Sequence, residues 1–373
     1  MEGRGARNST ESVKVLIVDD SAFMRKALSM MLESDPDIKV IGTARDGEEG
    51  VEKVKRLKPD LVTMDIEMPR MDGLAALRRI MKENPVPVMM ISSLTSEGAQ
   101  ATLDALEIGA VDFIPKQLSY VSLDIVKIKD ELLAKIKHIA RRRHVLMARL
   151  RFKSSRQLGH SSESSGSRTS GGQISSPAIV KKRHHQVSII AIGSSTGGPP
   201  ALQAVIPRLP RNLPVGIVIA QHMPPKFTAS LAERLDQLSA LTVREASDGD
   251  PVEAGVVYIA PGGFQMTVKK YGGRARVVVS TEPTEALYKP CVDVLMNSVA
   301  DQYLGATMGV MLTGMGNNGV IGAKNLKARG GVLIAQDEAT CVVYGMPRAV
   351  AEAKLVDHIA PIEQIATEVV SFF

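Results

Sequence analysis

Short apolar runs alternate with amphipathic segments from about Val13 to Leu133. The apolar runs, which we interpret as strands, are Val15–Val18, Val40–Ile41, Leu61–Met64, Val86–Ile91 and Val111–Ile114. Helix-like segments begin near Ala22, Gly47, Gly73, Glu97 and Leu123. Five strand–helix units in succession predict an α/β domain with a doubly wound, flavodoxin-like parallel sheet. Such sheets bind ligands at the carboxyl ends of their strands.

The same alternation resumes at Gln186 and continues to the C-terminus. Its apolar runs are Ile189–Ile192, Val215–Ala220, Val256–Ala260, Met308–Leu312 and Val332–Ala335. Its helix-like segments are Ala201–Leu209, Thr228–Leu238, Val292–Tyr303 and Val320–Ala328. Two strand-like segments, Phe264–Lys269 and Ala275–Ser280, flank Tyr271-Gly272-Gly273 and predict a β-hairpin. The sequence therefore predicts a second doubly wound α/β domain that carries a hairpin.

The segment between these regions loses its periodicity. Ser154 to Ser176 consists mostly of serine and glycine and contains too few apolar groups to offset the entropy of ordering. We expect a helix from Leu123 to about Leu150 that leads into this linker. The predicted organisation is a domain over 13–133, a helical extension and linker over 134–185, and a second domain over 186–373.

The composition favours a protein of two globular domains that neither binds nucleic acid nor inserts into a membrane. A length of 373 residues with 44% hydrophobic residues fits two globular domains. The net charge of +6 is concentrated near the linker without interleaved aromatic residues, so we expect no nucleic-acid binding by that basic run or by Lys181–His185. Two cysteines without metal-type spacing, no signal-like N-terminus and no apolar run of about 18 residues predict a cytoplasmic protein without membrane insertion.

Polar side chains follow several strands of the first domain. Asp19 and Asp20 come after the first strand, Asp65 ends the third, Ser92 ends the fourth and Lys116 follows the fifth. Three carboxylates in one crevice repel each other unless a hard cation lies between them, most plausibly Mg²⁺. One carboxylate could also accept a phosphoryl group. The alternative is that these residues only cap strands and helices.

This first domain resembles the receiver domain of bacterial response regulators. The resemblance is carried by VDDS at 18–21, MDIEMPRMDG at 64–73, ISS at 91–93 and IPK at 114–116. It implies that Asp65 accepts a phosphoryl group from a sensor histidine kinase, and that Mg²⁺ is bound by Asp19, Asp20 and Asp65. It also implies that Ser92 and Phe113 are switch residues and that Lys116 contacts the phosphoryl group.

The second domain begins with a glycine-rich turn after its first strand, SIIAIGSSTGGPP from Ser188 to Pro200. Gly193, Ser195 and Gly197 fit the G-x-S-x-G pattern that exposes a nucleophilic serine at the end of a strand. A dinucleotide fingerprint is absent, and prolines replace the lysine and hydroxyl residue of a phosphate loop. The remaining alternative is a turn without chemistry.

A nucleophilic serine needs a base, and His222 stands at the end of the next apolar strand. His358 is the second candidate for the base. The glycine-rich turn Leu312–Gly319 follows a later strand and offers Asn rather than Asp as a third member. Its backbone N–H groups near Met315 could stabilise an oxyanion.

The second domain resembles the catalytic domain of the chemotaxis receptor methylesterases, which are also glutamine deamidases. The matching motifs are IGSSTGGP at 192–199, QHMP at 221–224, IAPGG at 259–263, LTGMGNNG at 312–319 and AQDEATCVVYGMP at 335–347. The resemblance implies Ser195 as nucleophile, His222 as base and Asn318 in the place of the triad acid, with Thr196 and Met315 around the oxyanion. It implies methyl-accepting chemotaxis receptors as the substrate and no cofactor in this domain.

One residue departs from the family pattern, because GMGNDG is replaced by GMGNNG and Asn318 stands where the acid belongs. We expect its amide oxygen to accept Nδ1–H of His222 but to lack the stabilising charge, which predicts weakened esterase activity. Asp337 could compensate, and Asn318→Asp is expected to raise the rate. The resemblance further predicts that the unphosphorylated receiver domain inhibits the enzyme and that phosphorylation of Asp65 relieves the inhibition.

The alternative function is a phosphorylation-switched binding protein with a vestigial hydrolase site. Asn318 is the residue that makes this alternative worth testing. A DNA-binding response regulator is excluded because the second domain contains no helix-turn-helix candidate.

Overall fold

A computed structural model describes residues 12–116, 124–148 and 186–373. The described residues form two compact units, divided between His144 and Val145. Most of the predicted linker, including the serine-rich segment and the basic run at 181–185, lies outside the described residues.

The first unit is built around a five-stranded parallel sheet with the order β2-β1-β3-β4-β5. Its strands are β1 Val13–Val18, β2 Ile38–Ala44, β3 Leu61–Asp65, β4 Val88–Ser92 and β5 Asp112–Pro115. Its helices are Ala22–Leu32, Gly47–Leu57, Gly73–Glu83, Ser96–Ile108 and Asp124–Arg141. The predicted α/β architecture is confirmed for this unit.

The helices of this unit begin where polar side chains satisfy their first N–H groups. Ser21, Asp46, Asp72 and Thr95 each accept a hydrogen bond from a backbone N–H three residues ahead. The chain turns at Arg142 after the last helix, and helix resumes over 143–148. The predicted helical extension is therefore interrupted, and its far end lies beyond the described residues.

The second unit contains a seven-stranded parallel sheet with the order β14-β13-β12-β6-β7-β9-β8. Its strands are β6 Ile189–Ser194, β7 Gly216–Gln221, β8 Thr242–Glu245, β9 Val256–Ile259, β12 Thr307–Met311, β13 Val332–Gln336 and β14 His358–Ala360. Its helices are Gly198–Val205, Phe227–Leu238, Val292–Tyr303, Val320–Ala328, Met346–Glu352 and Ile362–Val370, with a 3₁₀ turn over Ile206–Arg208. The central strands β6, β7, β12 and β13 are buried along their whole length, as parallel strands covered on both faces require.

The predicted hairpin is present as strands β10, Gln265–Tyr271, and β11, Arg274–Ser280, which pair antiparallel. Its apolar face joins the main core, where Met266, Val268 and Val277 cluster with apolar residues of helix Val292–Tyr303. The hairpin therefore packs against the helix whose N-terminus adjoins the site described below.

The sequence pattern missed the two edge strands of this sheet. Strand β8 is only four residues long and exposes every second side chain, and β14 has three residues. Such short edge strands carry too few apolar positions to be distinguished from a loop. Helices Met346–Glu352 and Ile362–Val370 were also missing from the prediction.

Candidate active site and receiver site

The predicted nucleophile and base follow two neighbouring strands at the centre of the second sheet. In the register of β6 and β7, Ser194 pairs with Gln221, and the N–H of His222 donates to the Ser194 carbonyl at 3.1 Å. Ser195 and His222 are the residues that directly follow these two strands. The backbone ladder therefore brings them together at the carboxyl edge of the sheet.

The turn at Ser195 is held by backbone hydrogen bonds on both sides. Ser195 N–H donates to the Thr313 carbonyl at 3.0 Å, and Gly198 N–H donates to the Ser195 carbonyl at 2.7 Å. Gly197 has a φ of 72°, in the left-handed region that glycine adopts without strain. The serine is half-buried between the end of the strand and the start of the helix.

A buried glutamine, to which the sequence pattern assigns no role, holds this turn through side-chain hydrogen bonds. Gln221 accepts a hydrogen bond from Ser194 Oγ at 2.6 Å. Its amide nitrogen donates to the Ser195 carbonyl at 3.0 Å and the His222 carbonyl at 3.2 Å. The Cβ of any larger residue at Gly198 would come within 1.8 Å of Gln221 Oε1, so the contact requires glycine there. Gln221 ties both strand ends to one side chain.

The imidazole of His222 contacts Asn318 in the turn after β12. The distance from His222 Nε2 to Asn318 Oδ1 is 3.0 Å. The expected contact through Nδ1 is therefore wrong: the ring presents Nε2 to the amide. The ring of Tyr288 also stacks on His222, with centroids 4.2 Å apart and planes 8° from parallel. This stacking has no signal in the sequence, because Tyr288 belongs to an irregular segment.

The side chain of Asn318 is bonded at both of its polar atoms. Its oxygen also accepts from Val292 N–H at 2.8 Å, and its nitrogen donates to Asp293 Oδ2 at 2.8 Å. Asp337, which we considered as a compensating carboxylate, instead accepts a hydrogen bond from the backbone N–H of Thr340. The carboxylate that adjoins the amide is Asp293. Its only signal in the sequence was an acidic residue in the first turn of a helix, which ordinary helix capping explains equally well.

Of the remaining predicted residues of this site, two lie in the turns that carry Ser195 and Asn318, and one lies on an edge strand. Thr196 is buried beside Ser195, and its carbonyl accepts a hydrogen bond from Thr313 Oγ1 at 3.0 Å. Met315 is half-buried in the turn that also carries Asn318. His358, the second candidate for the base, lies on the edge strand β14 and packs edge-to-face against Phe372. A serine, a histidine and an amide thus converge at one edge of the sheet, which is the arrangement that nucleophilic acyl transfer uses.

The first unit brings together the three acidic residues that the sequence predicts to lie in one crevice. Carboxylate oxygens of Asp19, Asp20 and Asp65 lie within 4.8 Å of one another. Asp19 and Asp65 are buried, while Asp20 is exposed. Asp19 Oδ1 accepts a hydrogen bond from Ser21 N–H at 2.9 Å. The three residues form an acidic cluster open to solvent on the side of Asp20.

Lys116 is the cation of this cluster. Its ammonium lies 2.6 Å from Asp65 Oδ2 and 3.6 Å from Asp19 Oδ2. Burial raises the pKa of Asp65 to about 6, although the hydrogen bond and charge of Lys116 oppose the increase. Burial also raises the pKa of Asp19, with Lys116 again opposing it. One lysine therefore does not fully compensate the buried carboxylates.

The two predicted switch residues are both buried. Ser92 Oγ donates to the Gly98 carbonyl at 3.0 Å, at the start of the following helix. The exposed fraction of Phe113 is 6%, which places the ring inside the unit. Lys116 N–H donates to the Ser92 carbonyl at 2.6 Å. The backbone at the end of β4 is thus joined to the residue that contacts Asp65.

The fold and the two strand-end sites are those of a two-domain protein. Its first domain carries an acidic site of the receiver type, and its second α/β domain carries a serine–histidine pair. Residues 15–125 match the model of the response regulator receiver domain, and residues 190–369 match that of the CheB methylesterase. With the relatives described next, these matches show that the chain belongs to the family of CheB protein-glutamate methylesterases/protein-glutamine glutaminases.

Two relatives illustrate how far the similarity extends. The chain is 51% identical to protein-glutamate methylesterase/protein-glutamine glutaminase 1 of Oleidesulfovibrio alaskensis, over 96% of this chain and 99% of the relative. It is also 51% identical to enzyme 2 of that name from Nitratidesulfovibrio vulgaris, with the same coverage. A crystal structure of the Thermotoga maritima CheB methylesterase catalytic domain is 44% identical, covers 50% of this chain and 99% of that chain, and has a TM-score of 0.49.

None of the helices in the part of the chain that the structure describes is both long enough and apolar enough to cross a membrane.

Proposed function

We propose that this chain is a serine hydrolase, regulated by phosphorylation, that demethylates glutamyl methyl esters and deamidates glutamines on methyl-accepting chemotaxis receptors. The observation that carries the proposal is the 3.0 Å contact between His222 Nε2 and Asn318 Oδ1, beside a serine held at the adjoining strand end. The names of the relatives supply the substrate groups, which are methylated glutamates and glutamines of proteins, and the sequence resemblance supplies the receptors that carry them. We place this activity in the cytoplasm, where the receptor helices that carry these glutamyl groups lie.

The reaction begins when Ser195 Oγ attacks the carbonyl carbon of the glutamyl ester and His222 takes the hydroxyl proton. The tetrahedral intermediate collapses, the C–O bond to methoxide breaks, and His222 returns the proton so that methanol leaves. A glutamyl ester on Ser195 remains. Water, deprotonated by His222, attacks this ester and releases a glutamate carboxylate and the free serine. On glutamine the first leaving group is ammonia.

The developing oxyanion needs hydrogen-bond donors near Ser195. The hydroxyl of Thr196 is buried next to the nucleophile and has no hydrogen-bond partner within the described residues. We assign it, with the backbone around Met315, to the surroundings of the oxyanion. Donors that are already desolvated stabilise a developing charge more strongly than water would.

In the receiver unit we assign Asp65 as the acceptor of a phosphoryl group from a sensor histidine kinase. The residues fit a Mg²⁺ ion, because Asp19 Oδ2 is a buried acceptor without a hydrogen bond in the described part of the chain. Asp19, Asp20 and Asp65 would hold the ion through the oxygen ligands that it prefers. When bound, it would supply positive charge against the phosphoryl oxygens, and Lys116 would contact the same oxygens.

Phosphorylation would be transmitted by Ser92 and Phe113. The hydroxyl of Ser92 must leave the Gly98 carbonyl before it can contact a phosphoryl group on Asp65. That movement would free space at the end of β4 for the buried ring of Phe113. We propose that the resulting change in the receiver surface relieves inhibition of the esterase.

The test is methanol release from methylated receptors by the full chain, with and without a small phosphodonor and Mg²⁺. We expect Ser195→Ala to lower kcat by roughly 10⁴-fold or more, because nucleophile and base act as a unit. Ser247→Ala, which removes an exposed serine in the same unit, is the matched control. Asp65→Ala should retain basal release and lose the response to the phosphodonor.

Two outcomes would contradict the proposal. Equal and negligible release from the native chain and Ser195→Ala, with or without phosphodonor, would favour a phosphorylation-switched binding protein. A response to the phosphodonor that survives Asp65→Ala would contradict the assignment of the phosphorylation site alone.

A further inference from the structure

The amide of Asn318 has only one orientation that its neighbours accept. A carboxylate can only accept hydrogen bonds and a backbone N–H can only donate, so Asp293 requires the NH₂ group and Val292 requires the oxygen. The observed distances, 2.8 Å to each, satisfy both. A flipped amide would place oxygen against the carboxylate and NH₂ against the Val292 N–H. The amide oxygen is therefore directed to His222.

This orientation decides which nitrogen of His222 carries the proton. Asn318 Oδ1 is an acceptor, so the Nε2 that lies 3.0 Å away must be protonated in the neutral ring. Nδ1 then carries the lone pair that can take the proton of the serine. In a trypsin-type triad the change from Asp to Asn lowers kcat by roughly 10⁴-fold because the wrong tautomer forms. Here Asp293 fixes the amide of Asn318, and this excludes the tautomer in which Nε2 of His222 lacks its proton.

Asp293 is itself held in place from two sides. Its Oδ1 accepts from Gly322 N–H at 2.9 Å, in the first turn of helix Val320–Ala328. The residue also lies in the first turn of helix Val292–Tyr303, where the helix dipole favours a negative charge. Each carboxylate oxygen thus has its own donor, and Oδ2 is reserved for Asn318.

We propose that Asp293 is a positioning residue that supplies, one residue further out, the orientation and negative charge that an acid at position 318 would supply directly. This inference rests on the proposed esterase function. The order of groups is Ser195, His222, Asn318 and Asp293, with the amide as a neutral link between imidazole and carboxylate. Asn318 and Asp293 are a matched pair, so neither can be changed alone without loss.

The sequence alone predicts that Asn318→Asp raises the rate of ester hydrolysis. The contact between Asn318 and Asp293 predicts the opposite. A carboxylate at position 318 would face Asp293 Oδ2 at the 2.8 Å now spanned by a hydrogen bond, and two carboxylates this close repel each other. The double variant Asn318→Asp/Asp293→Asn exchanges charge and amide. The new amide can accept from Gly322 N–H and donate to the new carboxylate, so every group keeps a partner.

The experiment measures methanol release and its pH profile for the full chain, both single variants and the double variant. We expect Asp293→Asn to lower kcat about 10- to 100-fold with KM within threefold. Asn318→Asp should not exceed the native kcat. The double variant should recover at least tenfold over either single variant. Asp301→Asn, on the same helix and paired with Arg329 at the surface, is the matched control and should behave as native.

A second readout separates positioning from loss of structure and from failure of the proposed function. Removing the charge of Asp293 should move the NMR titration midpoint of the His222 ring, and the acid limb of the pH–rate profile, to lower pH. The NMR shift is measurable even in a chain that releases no methanol, which would overturn the function but not the positioning role. A native-like kcat and titration midpoint in Asp293→Asn, or effects that simply add in the double variant, would overturn the inference.

Discussion

The two units place their polar residues at equivalent positions, the carboxyl ends of parallel strands, but they manage charge in opposite ways. In the receiver unit, buried carboxylates face one another and Lys116 directly, and the pKa of Asp65 is raised to about 6 by burial. In the catalytic unit, neutral groups contact the reacting pair, and the carboxylate of Asp293 lies behind an amide. In the first site the charge of the buried carboxylates is not fully compensated by Lys116, whereas in the second site the polar groups of Asn318 and Asp293 are satisfied by hydrogen bonds.

The contrast fits the roles that we propose for the two sites. A site that receives a doubly charged phosphoryl group and a cation must keep charges that only those groups can balance. A site that moves one proton between serine and imidazole needs fixed geometry and a defined tautomer, which neutral donors and acceptors supply at lower desolvation cost. Three changes, ordered by expected effect, test this difference.

The largest effect is expected from Asp65→Asn in metal-free protein. Because the folded pKa of about 6 lies above the ordinary value of 3.8, native stability contributed by protonated Asp65 is complete below about pH 4 and is lost as pH rises through 6. Asparagine imitates the neutral form. The variant should therefore gain up to about 3 kcal/mol over the native chain between pH 4 and 7.5.

The measurement is urea-induced unfolding followed by circular dichroism, with chelator present at both pH values. Asp20→Asn removes an exposed carboxylate of the same cluster and is the control for loss of charge without burial. A stability difference between Asp65→Asn and native chain that does not change with pH would show that Lys116 fully compensates the site.

The second effect concerns the neutral network of the catalytic unit. Gln221→Leu leaves the hydroxyl of Ser194 and the carbonyls of Ser195 and His222 without their buried partner, which should cost about 2 kcal/mol in the free energy of unfolding. The same denaturant titration measures it, with the partly exposed Gln302→Leu as control. An unchanged unfolding free energy would mean that the backbone ladder alone holds the two strand ends.

The smallest effect is expected at the ring that stacks on His222. Tyr288→Leu should lower kcat about threefold to tenfold, because stacking of two rings is worth about 1 kcal/mol. Tyr288→Phe keeps the ring and should remain within twofold of native in the methanol-release assay. Equal losses in both variants would assign the effect to the hydroxyl group instead of the stacked face.

The sequence pattern was sufficient for the architecture of both units because buried parallel strands are continuous apolar runs. Ser195 and His222 could be selected for the same reason, since each follows such a run directly and parallel strands end at one edge. The edge strands β8 and β14 were not predicted because they are short and only partly buried.

The contact between Asp293 and Asn318 could not be predicted from the spacing of residues along the sequence. Asp293 and Asn318 are brought together by the approach of two helices, and nothing in their separation along the chain indicates it. The choice between Nδ1 and Nε2 depends on the rotation of a ring, which residue type does not determine. The sequence did show that an amide, Asn318, stands in the place of the family's acid. The carboxylate that we propose to compensate for it, Asp293, lies within hydrogen-bonding distance of that amide.

The register of β6 and β7 has a consequence for how such a site can change over time. Ser195 and His222 each directly follow a strand of one strand–helix–strand segment, whereas Asn318 and Asp293 come from a separate part of the chain beyond the hairpin. Substitutions at positions 318 and 293 can therefore change how the imidazole is oriented while the segment that carries Ser195 and His222 keeps its sequence.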